Sequence, residues 1–408
     1  MPRTEAFIID AVRTPVGKYG GVLKDVRPDD LSALVIRKLL ERTKSDPAGI
    51  QDVMWGCANQ AGEDNRNVGR MALLLAGVPA SVPGNTINRL CGSSLDAINQ
   101  AARAIWSDDL DVVVAGGVEN MSRAPYSIPK NQSGSYGNLT AYDTALGWRY
   151  PNPKMEKMFP LESMGETAEN VAEKYKIGRE EQDVFAFESH RKAVKAQQDR
   201  NFQEELIPVE IPQKKGEAII VKQDEGPRAD TTPEKLSKLS PVFRKNGTVT
   251  AGNSSSLNDG AAAVLIVSER KMKKLGLTPM ARIVSTGVAG VDPRYMGIGP
   301  VPATGIALQK ADLTMNDIDL IELNEAFAAQ SLAVIRDLHI DTTKLNVHGG
   351  AIALGHPLGC SGARIMTTLL HAMKRGSTSL ATGRKSRYGL ATMCIGVGQG
   401  IATIVEGS

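Results

Sequence analysis

The chain has 408 residues, 42% of them hydrophobic and only 4% aromatic, with 40 glycines; this exceeds one small core, implies two or three packed units, and argues against an all-β sandwich. A net charge of +3 without a basic tail or stripe excludes nucleic acid as an expected partner. Four cysteines (Cys57, Cys91, Cys360, Cys394) are too few for a disulfide scaffold and fit no CxxC pair, so free thiols in a reducing compartment and no metal site are expected.

The N-terminal residues lack an apolar region suited to a signal peptide, and no apolar run approaches the ~18 residues of a membrane span. The expectation is a soluble, cytoplasmic protein that contacts no membrane. Residues 6–11 read as a buried strand, 29–43 as an amphipathic helix and 50–56 as a strand. Residues 96–106 then read as a helix and 110–116 as a strand. Strands alternating with helices predict βαβ units and a mostly parallel sheet in an α/β fold. Residues 122–250 differ in texture. They are rich in Pro, Asn, Ser, Gly and charge, with helical signals at 164–174 and 179–199. Such an excursion reads as a ligand- and subunit-contacting segment or as a surface insertion.

From residue 251 the α/β texture returns and echoes the first part. Ala6-Phe-Ile-Ile-Asp-Ala has a counterpart in Ala281-Arg-Ile-Val-Ser-Thr, and residues 29–56 in 303–323. Val112-Val-Val-Ala-Gly-Gly has one in Ala391-Thr-Met-Cys-Ile-Gly. Three echoes in one order predict a duplicated unit.

Four segments carry chemistry. In Asn88-Arg-Leu-Cys91-Gly-Ser-Ser the cysteine precedes a helix, where unpaired N–H groups and the dipole favour a thiolate. Small residues there are expected to let the backbone approach a ligand; the other reading is a buried structural cysteine. His356 lies in the glycine-rich turn Gly355-His-Pro-Leu-Gly ahead of a helix at 363–374. It is placed there as a base or oxyanion donor, or as a structural histidine. Cys394 ends a strand beside alternating glycines. In Glu322-Leu-Asn324-Glu325 a strand gives way to a helix, so Asn324 either faces a ligand at the sheet edge or caps the helix.

Together these segments resemble the thiolase family over nearly the whole chain. Asp10-Ala-Val-Arg-Thr-Pro-Val-Gly, Gly116-Gly-Val-Glu-Asn-Met-Ser, Thr250-Ala-Gly-Asn-Ser-Ser-Ser-Leu-Asn-Asp-Gly and Asn324-Glu-Ala-Phe match in the expected order. The resemblance implies two duplicated five-layered αβαβα halves with an inserted loop domain. The first half would span 1–121, completed by 251–276, the loop domain 122–250, and the second half 277–408. It implies a ping-pong acyltransferase of coenzyme A thioesters, with coenzyme A as substrate and no permanently bound cofactor. Cys91 would carry the acyl group and His356 would ionise it. His356 would also hold the enolate oxygen with a water on Asn324, while Cys394 would be the acid/base at the α-carbon. The N–H groups of Cys91 and Gly396 would form the other oxyanion hole. Arg228 would meet the adenine end of coenzyme A and Ser255 its pantetheine. Met164, Phe243, Met296 and Phe327 would wall the tunnel. A homodimer or homotetramer is implied, the tetramer favoured, with residues 127–139 as the tetramerisation loop.

Three positions depart from short-chain biosynthetic members: Ser163, where they carry His, Ser256, and Val397. The ending Cys-Ile-Gly-Val-Gly-Gln-Gly and the run Gly147-Trp-Arg-Tyr-Pro-Asn-Pro resemble acyltransferases of 3-oxoacyl-CoA, from the fatty-acid substrates of β-oxidation to 3-oxoadipyl-CoA. For a dicarboxylic chain, Arg123 or Arg149 would supply the cation. Three other readings stay open: a carrier-protein synthase of the same fold, a non-catalytic acyl-CoA-binding relative, and a redox sensor pairing Cys91 with Cys394.

Overall fold

The computed structural model describes residues 3–130, 138–376 and 386–408. The proposed tetramerisation loop falls in part on 131–137, outside the described residues. Nine strands form the main path of one sheet: β1 (Ala6–Arg13), β2 (Asp52–Gly56), β3 (Gly84–Ile87), β4 (Val112–Asn120), β5 (Asn258–Ser268), β6 (Ala281–Gly290), β7 (Leu320–Leu323), β8 (Tyr388–Ile395) and β9 (Gln399–Gly407). Their order is β7-β8-β9-β6-β1-β5-β4-β2-β3. Only β2 with β3, β2 with β4, and β7 with β8 run parallel; the other pairs are antiparallel, so the sheet is mixed rather than mostly parallel.

The order is two copies of one motif. The run β1-β5-β4-β2 matches β6-β9-β8-β7, and the copies join where Phe7 pairs with Arg282 and Ile8 with Ala281. Each first strand shifts register at the same place, between Ile8 and Asp10 and between Ile283 and Ser285. A lone bridge from Ile321 to Leu345 stands where β3 stands in the first copy. β5 lies after the long excursion in sequence yet fills the first half-sheet.

The helices of eight or more residues are α1 (Pro28–Thr43), α2 (Val68–Leu75), α3 (Ser93–Trp106), α4 (Met164–Tyr175), α5 (Arg179–Gln198), α6 (Pro300–Ala311), α7 (Ala328–Leu338) and α8 (Leu358–Lys374). Strand residues alternate between faces, and β5 shows why these strands read as continuous apolar runs. Ala262, Val264 and Ile266 join a core with Leu95 and Ile98 of α3 and Ile365, Met366 and Leu369 of α8. Ala261, Ala263, Leu265 and Val267 join another with Leu31, Val35 and Leu39 of α1 and Leu73 of α2. A third core packs Ala303 and Ala307 of α6 and Val334 of α7 on Leu390 and Ile404. The layers are therefore α1/α2, half-sheet, α3/α8, half-sheet, α6/α7: five layers, with both sheet faces buried.

The excursion is anchored rather than loose. Arg13 of β1, fully buried, pairs with Glu205 at 2.7 Å and Asp224 at 2.6 Å. Ser163 forms a capping box with Glu166 at the start of α4.

Candidate active site

α3 and α8 lie side by side in the central layer, and their first turns meet. Ser94 Oγ accepts the N–H of Ala363 at 2.8 Å. Gly362 approaches so closely that a side chain there would begin 2.3 Å from the backbone nitrogen of Leu95. Cys91 stands two residues ahead of α3 and His356 two residues ahead of α8. The positive ends of both helix dipoles thus face one place. α8 begins five residues earlier than the sequence pattern suggested, because Pro357 caps it and the Gly-Cys-Ser-Gly stretch is buried in helix.

Cys91 is half-buried. Burial pushes its thiol up to about 11, while the N–H groups of Gly396 and of Cys91 itself, both directed at the sulfur, pull it down. Leu90, just before it, is left-handed at φ 45°. Ser93 Oγ braces this bend by donating to Leu90 O at 2.6 Å and accepting from Arg89 N at 3.0 Å. The small residues after Cys91 serve close packing instead of ligand approach: a side chain on Gly92 would begin 2.6 Å from Ile395.

Cys394, the penultimate residue of β8, is 2% exposed. Burial first, and the neighbouring Cys91 second, push its thiol far above the ordinary range. Gly396 opens the turn to β9, in which Val397 is left-handed at φ 62°. All four cysteines are free.

His356 is 5% exposed, and burial, with the Arg364 charge nearby, pushes it down to about 3. Ser361 Oγ donates to Pro357 O at 2.9 Å and so presents a lone pair to His356 Nδ1 at 2.6 Å. That arrangement places the proton on Nδ1 and leaves Nε2 as an acceptor. The His356 backbone N–H donates to Asn258 Oδ1 at 2.9 Å. Gly355 (φ +106°) packs directly on that Asn258 side chain, so no larger residue fits.

Asn324 is fully buried, and its Nδ2 lies 3.4 Å from His356 Nε2 and 3.5 Å from Nδ1. At these lengths the amide packs on the ring instead of making a strong hydrogen bond. Its Oδ1 has no partner among the described residues. Asn324 does not cap α7: the cap position is Phe327, three residues on.

The residues expected to wall the tunnel gather around Cys394. Met296 and Phe327 share its buried cluster, and Met164 and Phe243 pack against it. The Phe243 and Phe327 rings meet edge to face at 6.3 Å. Ser255 adjoins this wall through Oγ to Ala326 O at 3.0 Å. Arg228 lies apart, in a surface cleft of about 360 Å³ with His190, Arg191 and Lys195.

Sequence reasoning missed three supporting residues: Ser361, Asn258 as the anchor of the His356 turn, and Glu119. Glu119 accepts N–H groups from Ala58, Asn59 and Gly359, joining the first half to the start of α8. With Cys57 and Asp64 it forms a buried cluster. Asp64 likewise accepts the N–H groups of Gln60 and Gly62, so these carboxylates hold backbone. Spacing gives no signal for the Asn258 and Glu119 contacts, which reach across 60 residues or more.

Comparison with known proteins agrees over the full chain. Residues 6–270 match the family described as "Thiolase, N-terminal domain" and 277–407 match "Thiolase, C-terminal domain". A relative named 3-oxoadipyl-CoA/3-oxo-5,6-dehydrosuberyl-CoA thiolase, from Escherichia coli (strain K12), is 55% identical over 98% of this chain and 99% of its own. The crystal structure of the Bacillus anthracis acetyl-CoA acetyltransferase superposes with a TM-score of 0.91 at 43% identity, covering 100% of this chain and 99% of that one. Human mitochondrial 3-ketoacyl-CoA thiolase in complex with CoA gives 0.91 at 42%, covering 99% and 98%.

Proposed function

The chain belongs to the thiolase family, and on that premise we propose that Cys91 carries the acyl group and that the substrate is a dicarboxylic 3-oxoacyl-CoA of the 3-oxoadipyl type. As a thiolase it is an acyltransferase acting between coenzyme A thioesters, with coenzyme A as substrate. In our reading the Cys91 sulfur, losing its proton to Nε2 of His356, attacks the 3-oxo carbon. The N–H groups of Cys91 and Gly396 hold the resulting oxyanion. The C2–C3 bond then breaks, and its electron pair forms the enolate of acetyl-CoA. Cys394 protonates that enolate, and acetyl-CoA leaves. Coenzyme A enters, gives up its thiol proton, attacks the Cys91 thioester and departs as the shortened acyl-CoA. The two protons restore Cys91 and Cys394.

The observation that carries this reading is the pair of helix N-termini facing one locus, with Cys91 and His356 at equivalent positions ahead of them and Gly396 N–H directed at the sulfur. The raised Cys394 thiol suits an acid, because it keeps its proton until an enolate needs it. His356 Nε2 is an acceptor suited to a thiol proton. The unpartnered Asn324 Oδ1 fits the water expected beside the enolate oxygen. Met164, Phe243, Met296, Phe327 and Ser255 would line the pantetheine tunnel, and Arg228 would meet the adenine end. We read residues 122–250 as the loop domain between halves 1–121 plus 251–276 and 277–408. We also read the enzyme as a cytoplasmic homo-oligomer, in keeping with its four free thiols. The dicarboxylic substrate draws support from the relative's name, which favours that class over the fatty chains of β-oxidation; the departures at Ser163 and Val397 speak against a short-chain biosynthetic member.

Thiolysis of acetoacetyl-, 3-oxohexanoyl-, long-chain 3-oxoacyl- and 3-oxoadipyl-CoA tests this. Cys91→Ala should lose about 10⁴-fold or more in kcat, and Cys394→Ala about 10²–10⁴-fold. Mass spectrometry after quenching should find the acyl group on the Cys91 peptide of the wild type. Full turnover by Cys91→Ala would sink the assignment.

A further inference from the structure

We propose that Arg149 is the specificity-determining residue that binds the distal carboxylate of the acyl chain; this rests on the substrate class and the Cys91 role proposed above. Its guanidinium donates to Thr144 O at 2.9 Å and Asn59 O at 3.2 Å. A guanidinium has five N–H donors in a planar fork, so most remain for a ligand. No carboxylate pairs with Arg149 among the described residues, although many other arginines of this chain have one. Arg123, the other cation expected from sequence, is spent on Glu63 through contacts of 2.5 and 2.6 Å. Arg89 pairs with Asp96 at 3.0 Å and Arg364 with Glu322 at 3.3 Å.

The position of Arg149 is tied to the site from two sides. Asn59 follows Ala58, whose carbonyl accepts Asn88 Nδ2 at 2.9 Å. Asn88 Oδ1 in turn accepts the N–H of Leu90 at 2.9 Å, next to Cys91. On the other side, Trp148 Nε1 donates to Glu162 O at 3.1 Å. Two residues later Met164 begins α4 and stands over Gly396, where a side chain would begin 3.4 Å from its sulfur. The segment carrying Arg149 is thus linked to the nucleophile bend through Asn59 and Asn88, and through Glu162 to the helix whose Met164 stands beside Gly396. Its backbone is set by two left-handed residues, Gly147 (φ 86°) and Tyr150 (φ 51°). The Tyr150 hydroxyl bonds Ser127 Oγ, and its ring packs on Tyr142 at 4.9 Å.

In an extended six-carbon 3-oxodiacid the distal carboxylate lies on the order of 5 Å from the 3-oxo carbon. An arginine fork with free donors, linked through Asn59, Ala58 and Asn88 to the bend that holds Cys91, suits bidentate capture of that group. A linear fatty chain has nothing to offer it and leaves its charge unpaired.

The experiment measures kcat/KM for 3-oxoadipyl-CoA and for its uncharged six-carbon counterpart 3-oxohexanoyl-CoA, in wild type, Arg149→Met, Arg149→Gln and Arg149→Lys. The charged-to-uncharged ratio should fall about 30-fold in the Met and Gln variants, since a hydrogen bond to a charged group typically carries that much. Arg149→Lys should recover part of it. A ratio that changes less than about 3-fold in the variants, whether or not both rates fall together, overturns the role of Arg149. A wild type that prefers 3-oxohexanoyl-CoA overturns the dicarboxylic reading itself. If Arg149→Met does not fold, the Gln and Lys variants decide.

Discussion

At the scale of single residues, the acid–base chemistry depends on which His356 nitrogen holds the proton, and Ser361 sets that. With its hydroxyl donated to Pro357 O at 2.9 Å, it accepts from Nδ1 at 2.6 Å. Ser361→Ala should lower kcat about 10- to 100-fold with a smaller effect on KM and should shift the pH–rate profile. Ser361→Thr, which keeps the hydroxyl, should recover most of the loss. Wild-type kcat in Ser361→Ala, measured by steady-state thiolysis, would dismiss the tautomer role. Cys91, His356 and Cys394 stood out in the sequence because each sits at an element's end beside glycines, and Asn324 because a polar residue stands where a strand gives way to a helix. Ser361 did not, because a serine inside an apolar helix looks like any other small core residue.

Between elements, the spacing of α3 and α8 governs the distance from Cys91 to His356. Gly362 is the contact point, with room for no side chain against Leu95. Gly362→Ala should drive the helices apart. The expected cost is ~1–3 kcal/mol of stability, read as a lower urea midpoint. A displacement of ~1 Å between the reacting groups should also reduce kcat about 100-fold. If both stay at wild-type values, the close approach is not what sets the site. The helices were legible from their apolar periodicity; their starts were not. α3 begins three residues and α8 five residues before the apolar pattern, because glycines and serines at their first turns carry no periodic signal yet are buried by the opposite helix. Asn324 looked like a cap from its residue type, but the chain bends at Ala326, whose N–H returns to Asn324 O at 3.1 Å, and the helix starts only after Phe327.

Across the whole molecule, buried titratable groups shape the pH response. His190, His348, His356 and His371 are all buried and all lowered, burial being the largest cause for each. Below the ordinary histidine range of ~6.5 the unfolded chain takes up protons that the folded one refuses, so acidification weakens the fold. Glu119 and Asp259, raised by burial to about 7 and about 6, act in the opposite sense. They keep protons in the folded state and lose stability as pH rises towards those values. A single-site comparison separates the two. His371, whose Nε2 bonds Ala11 O at 2.9 Å, should on replacement by Gln give a urea midpoint that falls less between pH 7 and 5 than the wild type's. An equal fall would show that His371 does not carry its share.

The same scale separates what each level of information decided. The sequence alone was enough for the α/β class, the duplication, the excursion and the family, because strand and helix periods, repeated order and clustered glycines are local properties of a chain. The family resemblance implied that 251–276 completes the first half, but nothing in the sequence could show that pairing of Phe7 with Arg282 makes one sheet of two. Nor could it choose between Arg123 and Arg149. That choice depends on which guanidinium already has a carboxylate, and Glu63 meets Arg123 from 60 residues away. Pairings at such separations are set by how the layers pack.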